Sequence, residues 1–506
     1  MTAQLEAQSR KAQLIDLCQE LVRNRPLVLI SNRGPVEHQV ATNGQIHARR
    51  GSGGVITALS SLTQNVEFTW IASAMGEGDR KVTEAAEDAS IRFTIPGHQM
   101  NLRYVVAPRR VYHKYYNVFC NPLLWFLQHY MWSSPYTPNV DAAVHDAWEN
   151  GYVAVNKAFA DAAIAEAQSH DKPPSFIVHD YHLYLVPMYV RQAVPDAVIT
   201  SFIHIPWPSP AYWLLLPSYI RNFICRALCH SDIVGFQCLR DVRAFLETCE
   251  EFLPDAEVDY KERTIEVDGQ KVRTKVYPLS IDPEELRRIA GSPRSLDYED
   301  RLKPLCLENT IVRVDRLEPS KNVVRGFRSY HLLLERHPEL HGKVTFLAFL
   351  APSRTRVRQY QRYAEEVDRQ VQEVNSTFGN ESWQPIHTFY ENNYTQAVAG
   401  LRLYDVLLVN SVIDGMNLVA KEGPVVNTRE GAIVLLESVG AHDQLKSAAL
   451  SVSPTDIEGT MNAMHQAITM STEERRERAA KLTEIVEQQD VTQWLTDQVN
   501  DLLSLN

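Results

Sequence analysis

The chain has 506 residues, of which 44% are hydrophobic and 22% charged, and this length predicts two to four domains. Enough apolar residues are present to form packed cores, which excludes an intrinsically disordered chain. The 21 Gly and 26 Pro follow no fixed period, which excludes a collagen-like or low-complexity protein. The 51 Lys and Arg against 62 Asp and Glu give a net charge of −11. We therefore expect no nucleic-acid partner, and an anionic ligand would require cations gathered locally.

The first segment, residues 1–25, predicts an amphipathic helical extension that carries both charge signs. It lacks the apolar core of a signal peptide, and no run of 18 apolar residues follows, so we expect no membrane span. The seven cysteines form no C-x-x-C motif, which favours a reducing, cytoplasmic location. Cys225 and Cys229, one helical turn apart in an apolar stretch before His230, are interpreted as buried thiols rather than metal ligands.

Short apolar runs rich in β-branched residues alternate with longer helical patterns, such as 141–169 and 355–376. This alternation predicts an α/β fold with parallel sheets covered on both faces. The number of strands favours two doubly wound, Rossmann-like domains, with a boundary in the proline-containing stretch 276–283. The predicted domains are 1–25, 26–280 and 281–485, followed by a C-terminal helix in 486–506 that crosses back to the first domain. The predicted strands are 27–30, 68–72, 104–107, 176–178, 198–203, 232–236, 310–314, 344–350, 386–390, 406–409 and 432–436.

Polar residues follow many of these strands at their carboxyl ends, where ligands bind in open α/β sheets. Taken singly, such clusters are often solvated loops, but together they favour an enzyme with a cleft between two domains. They comprise residues 31–33, 179–182, 204, 315–316, 353–354, 410 and 414.

Two segments are suited to phosphate binding. Glycines 51, 53 and 54 precede a helical pattern, where backbone N–H groups could approach an anion, although an ordinary loop is an equal alternative. Arg316 and Lys321 stand five residues apart after a buried strand and could stabilise a leaving pyrophosphate. Surface ion pairs are the alternative interpretation of these two cations.

The most specific segment is 414–422, Asp-Gly-Met-Asn-Leu-Val-Ala-Lys-Glu. Leu418 and Glu422 lie at i and i+4 on one helix face, and a carboxylate at that place could accept the hydroxyls of a ribose. A helix-capping Asp414 with a solvent-facing Glu422 is the alternative. His204, Tyr116 and Trp125 could contact sugars, or else belong to the core.

These motifs, in this order over roughly residues 26–495, resemble the trehalose-6-phosphate synthases of glycosyltransferase family 20, which have the GT-B fold. The resemblance rests on segments 31–33, 178–183, 204–206 and 315–317 with Lys321, on 353–354, and above all on 414–422. It implies transfer of glucose, with retention of configuration, from a nucleotide diphosphate glucose to glucose 6-phosphate. The product would be α,α-trehalose 6-phosphate, and the chain would be a hexosyltransferase of trehalose biosynthesis.

The resemblance also implies roles for individual residues. Catalysis is assigned to His204, Asp180, Arg316 and Lys321, with the leaving phosphate taking the acceptor proton and no nucleophile, cofactor or metal required. The donor would be bound by Gly53, Gly54, His204, Arg316, Lys321, Asp414, Leu418 and Glu422. The acceptor would be bound by Arg33, Trp70, Tyr116, Trp125, Asp180 and Arg354. The donor base is left open among UDP, GDP and ADP, with UDP-glucose the expected donor.

Departures from the family pattern suggest a somewhat divergent branch. The usual Trp-x-Gly-Trp is 70–73, Trp-Ile-Ala-Ser, and the usual Arg-Leu-Asp-Tyr-Ser-Lys-Gly is 316–322, Arg-Leu-Glu-Pro-Ser-Lys-Asn. That branch includes pseudo-glycosyltransferases, which tend to lose the acceptor arginine and the Lys-Glu pair, both retained here as Arg33 and 421–422.

Three alternatives therefore stay open beside trehalose-phosphate synthesis: a cyclitol phosphate acceptor, a glycerol phosphate acceptor, and a catalytically silent regulatory homologue. We find no Asp-x-Asp-x-Thr phosphatase motif and expect a separate trehalose-phosphate phosphatase in the pathway. A homo-oligomer is possible, and the spacing of residues does not specify one.

Overall fold

A computed structural model describes residues 2–41, 43–50, 67–85, 90–95, 98–133, 135–355 and 357–505. The chain divides into two compact units, Met1–Pro278 with Thr492–Asn506, and Leu279–Val491. Within the described residues, no helix combines the length and the apolar character needed to cross a bilayer.

The first unit contains a sheet of ten strands in the order β10-β11-β12-β9-β8-β7-β1-β4-β6-β5. The strands from β12 to β6 pair in parallel, and antiparallel strands flank them at both edges. A separate antiparallel pair is formed by β2 and β3. The strands are β1 Leu27–Ser31, β2 Val36–Val40, β3 Ile46–Arg50, β4 Thr69–Ser73, β5 Ser90–Ile95, β6 His98–Val105, β7 Ser175–His179, β8 Val198–Ile203, β9 Ile233–Phe236, β10 Glu257–Asp259, β11 Thr264–Val267 and β12 Gln270–Val276.

Helices cover this sheet, and two of them, Lys114–Leu124 and Trp148–Val153, have the wider π-helical turn. These two segments pack so closely that a Cβ on Gly151 would lie 2.7 Å from the backbone nitrogen of Tyr115. The remaining helices are Thr2–Asn24, Glu77–Ala85, Arg109–His113, Trp125–Gln128, Ala142–Ala147, Ala154–Gln168, Tyr181–Leu183, Val186–Ala193, Pro210–Trp213, Ser218–Leu228, Leu239–Phe252 and Val491–Leu503.

Both chain ends pack into the first unit. The N-terminal helix buries Leu14, Cys18 and Leu21. The C-terminal helix places Trp494 edge-on to Phe202, and its indole N–H donates to the carbonyl of Tyr277 over 3.2 Å. Aromatic burial of this kind fixes a terminal helix that would otherwise fray.

The second unit contains one parallel sheet of six strands in the order β15-β14-β13-β16-β17-β18. Strands β16 and β17 of this sheet are entirely apolar, as expected for a parallel sheet with helices on both faces, whereas β13 carries the buried Arg313. The strands are β13 Asn309–Leu317, β14 Val344–Pro352, β15 Ile386–Phe389, β16 Val406–Val409, β17 Ala432–Leu436 and β18 Leu450–Val452. The helices are Pro283–Ala290, Pro293–Leu302, Lys303–Leu305, Pro319–Lys321, Val323–Arg336, Pro338–Leu340, Arg358–Phe378, Tyr394–Leu401, Val419–Val426, His442–Leu445, Ile457–Thr469 and Thr472–Gln488.

The predicted α/β class with two doubly wound sheets is confirmed. The strands that the sequence did not predict are short, polar or peripheral, such as β10, β11 and the β2–β3 pair. Apolar runs mark only strands buried on both faces, so strands at a sheet edge carry no comparable signal.

All seven cysteines are free thiols, and six of them are buried. The sulfur atoms of Cys229 and Cys249 lie 3.9 Å apart. Burial, with Cys225 and Cys229 nearby, raises the pKa of the Cys249 thiol well above its ordinary value. Thiols held protonated in this way are poor nucleophiles and poor ligands at neutral pH.

Candidate active site

A buried arginine shapes the loop that follows β13. Arg313 has no exposed surface, and its guanidinium donates to Asp315 over 2.7 Å and to the backbone carbonyl of Lys321 over 2.9 Å. A Cβ on Gly326 would lie 2.7 Å from this guanidinium, so the following helix needs a glycine there. The charge-assisted hydrogen bond from Arg313 to the carbonyl of Lys321 therefore fixes the loop after β13.

Asn322 ends this loop in the left-handed region, at φ 57°. Asparagine is one of the few residues that adopts this conformation readily. The backbone carbonyl of Asn322 accepts a hydrogen bond from Asn410 over 3.1 Å, which joins the loop to the end of β16. The family pattern that the sequence resembles has glycine at this position, a residue that also adopts the left-handed conformation readily.

Lys321 and Asp414 form a short, largely buried ion pair, with side chains 11% and 16% exposed. The same carboxylate oxygen accepts from Asn417 over 3.2 Å and from Ser411 over 3.3 Å. Burial would lower the pKa of Lys321, but Asp414 and Asp315 outweigh it and raise that pKa. Lys321 is therefore a fixed cation beside the Asp414 carboxylate at the carboxyl edge of the sheet.

Glu318 joins two arginines that the sequence analysis treated separately. Its carboxylate is fully buried, and its Oε1 lies 3.1 Å from Arg316 while its Oε2 lies 3.5 Å from Arg354. The Arg316 side chain is 47% exposed, whereas Arg354 is 13% exposed and packs over the ring of Tyr360. One buried anion thus serves as the counter-ion of two guanidinium groups.

Glu422 lies in the first turn of helix Val419–Val426, to which Leu418 is the N-cap. Its carboxylate is buried and accepts a hydrogen bond from the hydroxyl of Tyr394 over 2.9 Å. Burial raises the pKa of Glu422 to about 6, against the lowering effect of the tyrosine hydroxyl. The neighbouring Lys421 is buried instead as a structural group, donating to the carbonyl of Leu279 over 2.6 Å.

In the first unit, two histidines meet at the ends of β7 and β8. Nδ1 of His179 lies 3.1 Å from Nε2 of His204. Burial lowers the pKa of His179 to about 3, and burial together with His179 lowers that of His204 well below its ordinary value. Both rings are therefore neutral at pH 7, and His204 can donate or accept a hydrogen bond without carrying a charge.

Asp180 has a strained backbone, with φ 74° and ψ 169°. Only glycine occupies this region without cost, and non-glycine residues held there cluster at functional sites. The strain is maintained by a hydrogen bond from the Asp180 N–H to the carbonyl of Phe202 over 2.8 Å. Asn322, Arg354 and Asn417 likewise have positive φ values.

Arg33 and Tyr116, both predicted to bind the acceptor, are neighbours in the first unit. Burial would lower the pKa of Arg33, but Tyr116, which hydrogen-bonds to it, and Glu37 keep that pKa above its ordinary value. The ring of Tyr116 stacks on His182 and on Tyr112, at centroid distances of 5.8 and 5.6 Å. Arg33 thus retains exposed surface while its guanidinium is partly desolvated beside this aromatic stack.

The two predicted acceptor tryptophans are both buried. Trp125 is 6% exposed and stacks on His129 with centroids 4.0 Å apart. Trp70 is 0% exposed, and its indole N–H donates to Ser31 Oγ over 2.8 Å. A side chain without exposed surface cannot touch a ligand in this conformation, so we place Trp70 in the core. Gly53 and Gly54 lie outside the described residues.

Sequence reasoning gave no individual role to Glu318, Tyr394 or His179, and His179 was considered only as part of the cluster 179–182. Glu318 and His179 stand beside residues that it did select, and their burial is not visible in the residue pattern. Tyr394 follows Glu391, Asn392 and Asn393, a composition typical of a loop. Only the fold brings it to Glu422.

The second unit therefore offers cations and carboxylates at the carboxyl edge of a parallel sheet, the place where doubly wound folds bind nucleotides. Two such units define the GT-B class of α/β proteins, and the fold matches solved members of it. One is a trehalose-6-phosphate structure from E. coli bound with UDP-2-fluoro glucose, with a TM-score of 0.79, 27% identity, and coverage of 94% of this chain and 98% of that one. Another is a UDP-forming alpha,alpha-trehalose-phosphate synthase from Burkholderia xenovorans in complex with glucose-6-phosphate, with a TM-score of 0.80, 26% identity, and coverage of 94% and 100%.

The model of glycosyltransferase family 20 matches residues 25–504, and the chain belongs to that family. It is 31% identical over 483 residues to a UDP-forming alpha,alpha-trehalose-phosphate synthase A of Dictyostelium discoideum, covering 92% of this chain and 61% of that relative's length. It is also 29% identical over 484 residues to a validamine 7-phosphate valienyltransferase of Streptomyces hygroscopicus subsp. jinggangensis, covering 94% of each. The protein is thus a glycosyltransferase similar to trehalose-phosphate synthases and, equally, to a valienyltransferase.

Proposed function

We propose that this protein transfers glucose from a nucleotide diphosphate glucose, with UDP-glucose the expected donor, to glucose 6-phosphate. The product is α,α-trehalose 6-phosphate, and configuration at the transferred carbon is retained. The observation that carries the proposal is the paired arrangement in the second unit, where Lys321 is fixed by Asp414 and Arg316 by Glu318. These cations suit a diphosphate leaving group in a position common to nucleotide-binding sheets.

The donor half of the reaction is assigned to the second unit. Arg316 is half-exposed and Lys321 is rigidly held, so both can stabilise the negative charge that grows on the diphosphate as the glycosyl bond breaks. Asp414 and Glu422 are carboxylates able to accept hydroxyl hydrogens, the first from the glucosyl group and the second from the ribose. Leu418 presents the start of a helix to the nucleotide.

The acceptor half is assigned to Arg33, Tyr116 and Arg354 for the phosphate, and to Asp180 and Trp125 for the sugar. His204 is assigned to a hydroxyl of the donor glucose, because its neutral ring can form a hydrogen bond without adding charge. No protein nucleophile enters the proposal, since the leaving phosphate itself accepts the proton of the attacking hydroxyl. What this requires of the protein is orientation and electrostatic stabilisation.

A second candidate is transfer to a cyclitol phosphate. It is favoured by the similarity to the valienyltransferase and by the departure from the family pattern at 70–73. Arg33, assigned to the acceptor phosphate, and Glu422, assigned to the donor ribose, are both retained. Their retention favours glucose transfer instead.

The test is a panel of UDP-, GDP- and ADP-glucose, each offered with glucose 6-phosphate, a cyclitol phosphate or glycerol phosphate. NMR of the product identifies the linkage, and the release of nucleoside diphosphate gives the rate. We expect the 1,1-α,α linkage with glucose 6-phosphate and a large loss of turnover in Glu422→Ala. Turnover with the cyclitol phosphate alone would favour the second candidate, and no turnover across the panel would favour a silent homologue.

A further inference from the structure

Three side chains of the second unit lie together at its surface. None of them is assigned to a substrate. His337 follows helix Val323–Arg336, Glu339 lies in the short turn Pro338–Leu340, and His465 lies on helix Ile457–Thr469. One ligand-type atom from each, a ring nitrogen or a carboxylate oxygen, lies within 4.8 Å of the other two. Among the described residues, this is the one group of histidine, cysteine and acidic side chains with that spacing.

The contacts within the group are already close to those of coordinated side chains. Nδ1 of His337 lies 3.0 Å from Oε1 of Glu339, a hydrogen-bond distance that opens to about 3.4 Å when both atoms bind one tetrahedral ion with bonds of about 2.0–2.2 Å. The rings of His337 and His465 stack with centroids 3.7 Å apart and an angle of 13°. One ring nitrogen of His465 lies within 4.8 Å of the ligand atoms of His337 and Glu339, so binding of a common ion requires the stacked rings to turn.

The chemistry of the three groups favours a transition-metal ion. Two imidazoles and one carboxylate are a donor set of Zn²⁺ and Co²⁺, whereas Ca²⁺ and Mg²⁺ prefer oxygen ligands. Both histidines are partly buried and Glu339 is exposed, so an ion can enter from solvent and keep water in the remaining positions.

We propose that His337, Glu339 and His465 form a binding site for one divalent transition-metal ion of the zinc type. The ion links the end of helix Val323–Arg336 to helix Ile457–Thr469, two helices that pack against each other in the second unit. It stabilises this unit and takes no part in glycosyl transfer, so the site is independent of the function proposed above.

The test uses the full-length, untagged protein after treatment with a chelator and its removal. Co²⁺ and Zn²⁺ are titrated in separate experiments, with Co²⁺ read by its visible absorption and Zn²⁺ by calorimetry and by thermal unfolding. We expect saturation at one ion per chain. At a free Zn²⁺ concentration of 100 times Kd, the unfolding equilibrium constant should fall about 100-fold, because the ion binds the folded chain.

Variants separate a metal site from a simple stacked pair. His465→Phe keeps an aromatic ring against His337 but removes the ligand nitrogen, and Glu339→Gln keeps the shape of the carboxylate without its charge. Both should weaken Zn²⁺ binding at least about tenfold, the scale of loss seen even for residues that only support metal ligands. The matched control is His442→Ala, which removes a histidine bonded to Ser451 elsewhere in the same unit and should leave binding unchanged.

Two results would overturn the proposal. One is the absence of saturable Co²⁺ and Zn²⁺ binding by the full chain at neutral pH. The other is equal binding by the parent chain and by His465→Phe, which would place the ion elsewhere.

Discussion

The hydroxyl of Tyr394 donates a hydrogen bond to the carboxylate of Glu422 over 2.9 Å. Glu422 is the group assigned to the donor ribose, and burial raises its pKa to about 6. Tyr394 opposes that shift by stabilising the ionised form. The ionisation of Glu422, and with it the acceptance of ribose hydroxyls, therefore depends on a residue 28 positions earlier in the chain.

The first prediction concerns the pH dependence of donor binding. Because a protonated Glu422 is a poorer acceptor, the donor KM should rise as the pH falls through about 6. Tyr394→Phe removes the hydrogen bond that lowers this pKa, so the midpoint of the rise should move to higher pH. Initial rates with the donor varied from pH 5 to 8.5 measure the midpoint. Glu422→Gln should abolish the transition, and a midpoint unchanged by Tyr394→Phe would contradict the role of the hydroxyl.

The second prediction separates Lys321 from Arg316, although both are assigned to the diphosphate. Lys321→Ala leaves the buried Asp414 without its cation and should lower the free energy of unfolding by about 3 kcal/mol. Arg316 is half-exposed and its buried partner Glu318 keeps Arg354 as a second counter-ion, so Arg316→Ala should reduce turnover by about 10²–10³-fold with little change in stability. Urea unfolding and initial rates measure the two effects. The double variant Lys321→Ala with Asp414→Asn should regain stability but not turnover.

The sequence predicted the central strands well, because a strand buried on both faces is a continuous apolar run. Strands β8, β16 and β17 have the predicted bounds, Val198–Ile203, Val406–Val409 and Ala432–Leu436. The rule that ligands bind beyond strand ends also pointed to Lys321 and Asp414, which the fold brings into contact.

The remaining features depend on contacts between distant residues. The hydrogen bond between Tyr394 and Glu422 joins the first turns of two helices, and no pattern in either segment predicts the contact. The family resemblance implied an acceptor-binding role for Trp70, but its position on the buried strand β4 leaves it without exposed surface. A residue pattern indicates which side chains are apolar, and not which of them the sheet covers.

The third prediction concerns the two histidines at the ends of β7 and β8. His179 has a pKa of about 3 in the folded chain, against an ordinary value of 6.5. Between these values the unfolded chain binds a proton that the folded chain does not, so stability should fall as the pH falls through 6.5. His179→Phe removes this cost and should gain about 2–3 kcal/mol relative to the parent between pH 8 and pH 4.5.

The comparison across pH cancels the change in packing that the phenylalanine causes at both pH values. Urea unfolding of both chains at pH 8 and 4.5 gives the difference. The matched control is His145→Phe, at a half-buried histidine of the same unit that is hydrogen-bonded to Tyr219 rather than to another histidine. Equal pH dependence in the parent and His179→Phe would show that His179 is not held neutral.

The last prediction follows from the position of Glu318 between Arg316 and Arg354. Its two carboxylate oxygens face different guanidinium groups, at 3.1 and 3.5 Å, one assigned to the donor and the other to the acceptor. Glu318→Asp shortens the side chain by one methylene, about 1.5 Å, so one carboxylate can no longer reach both arginines. We therefore expect the KM values for donor and acceptor to rise together in this variant, each by several-fold.

Arg316→Lys, which leaves the contact between Glu318 and Arg354 in place, should raise the donor KM alone. Rates measured with both substrates varied give the two constants separately. A rise in only one KM for Glu318→Asp would mean that the buried carboxylate supports a single substrate, and that the two arginines act independently.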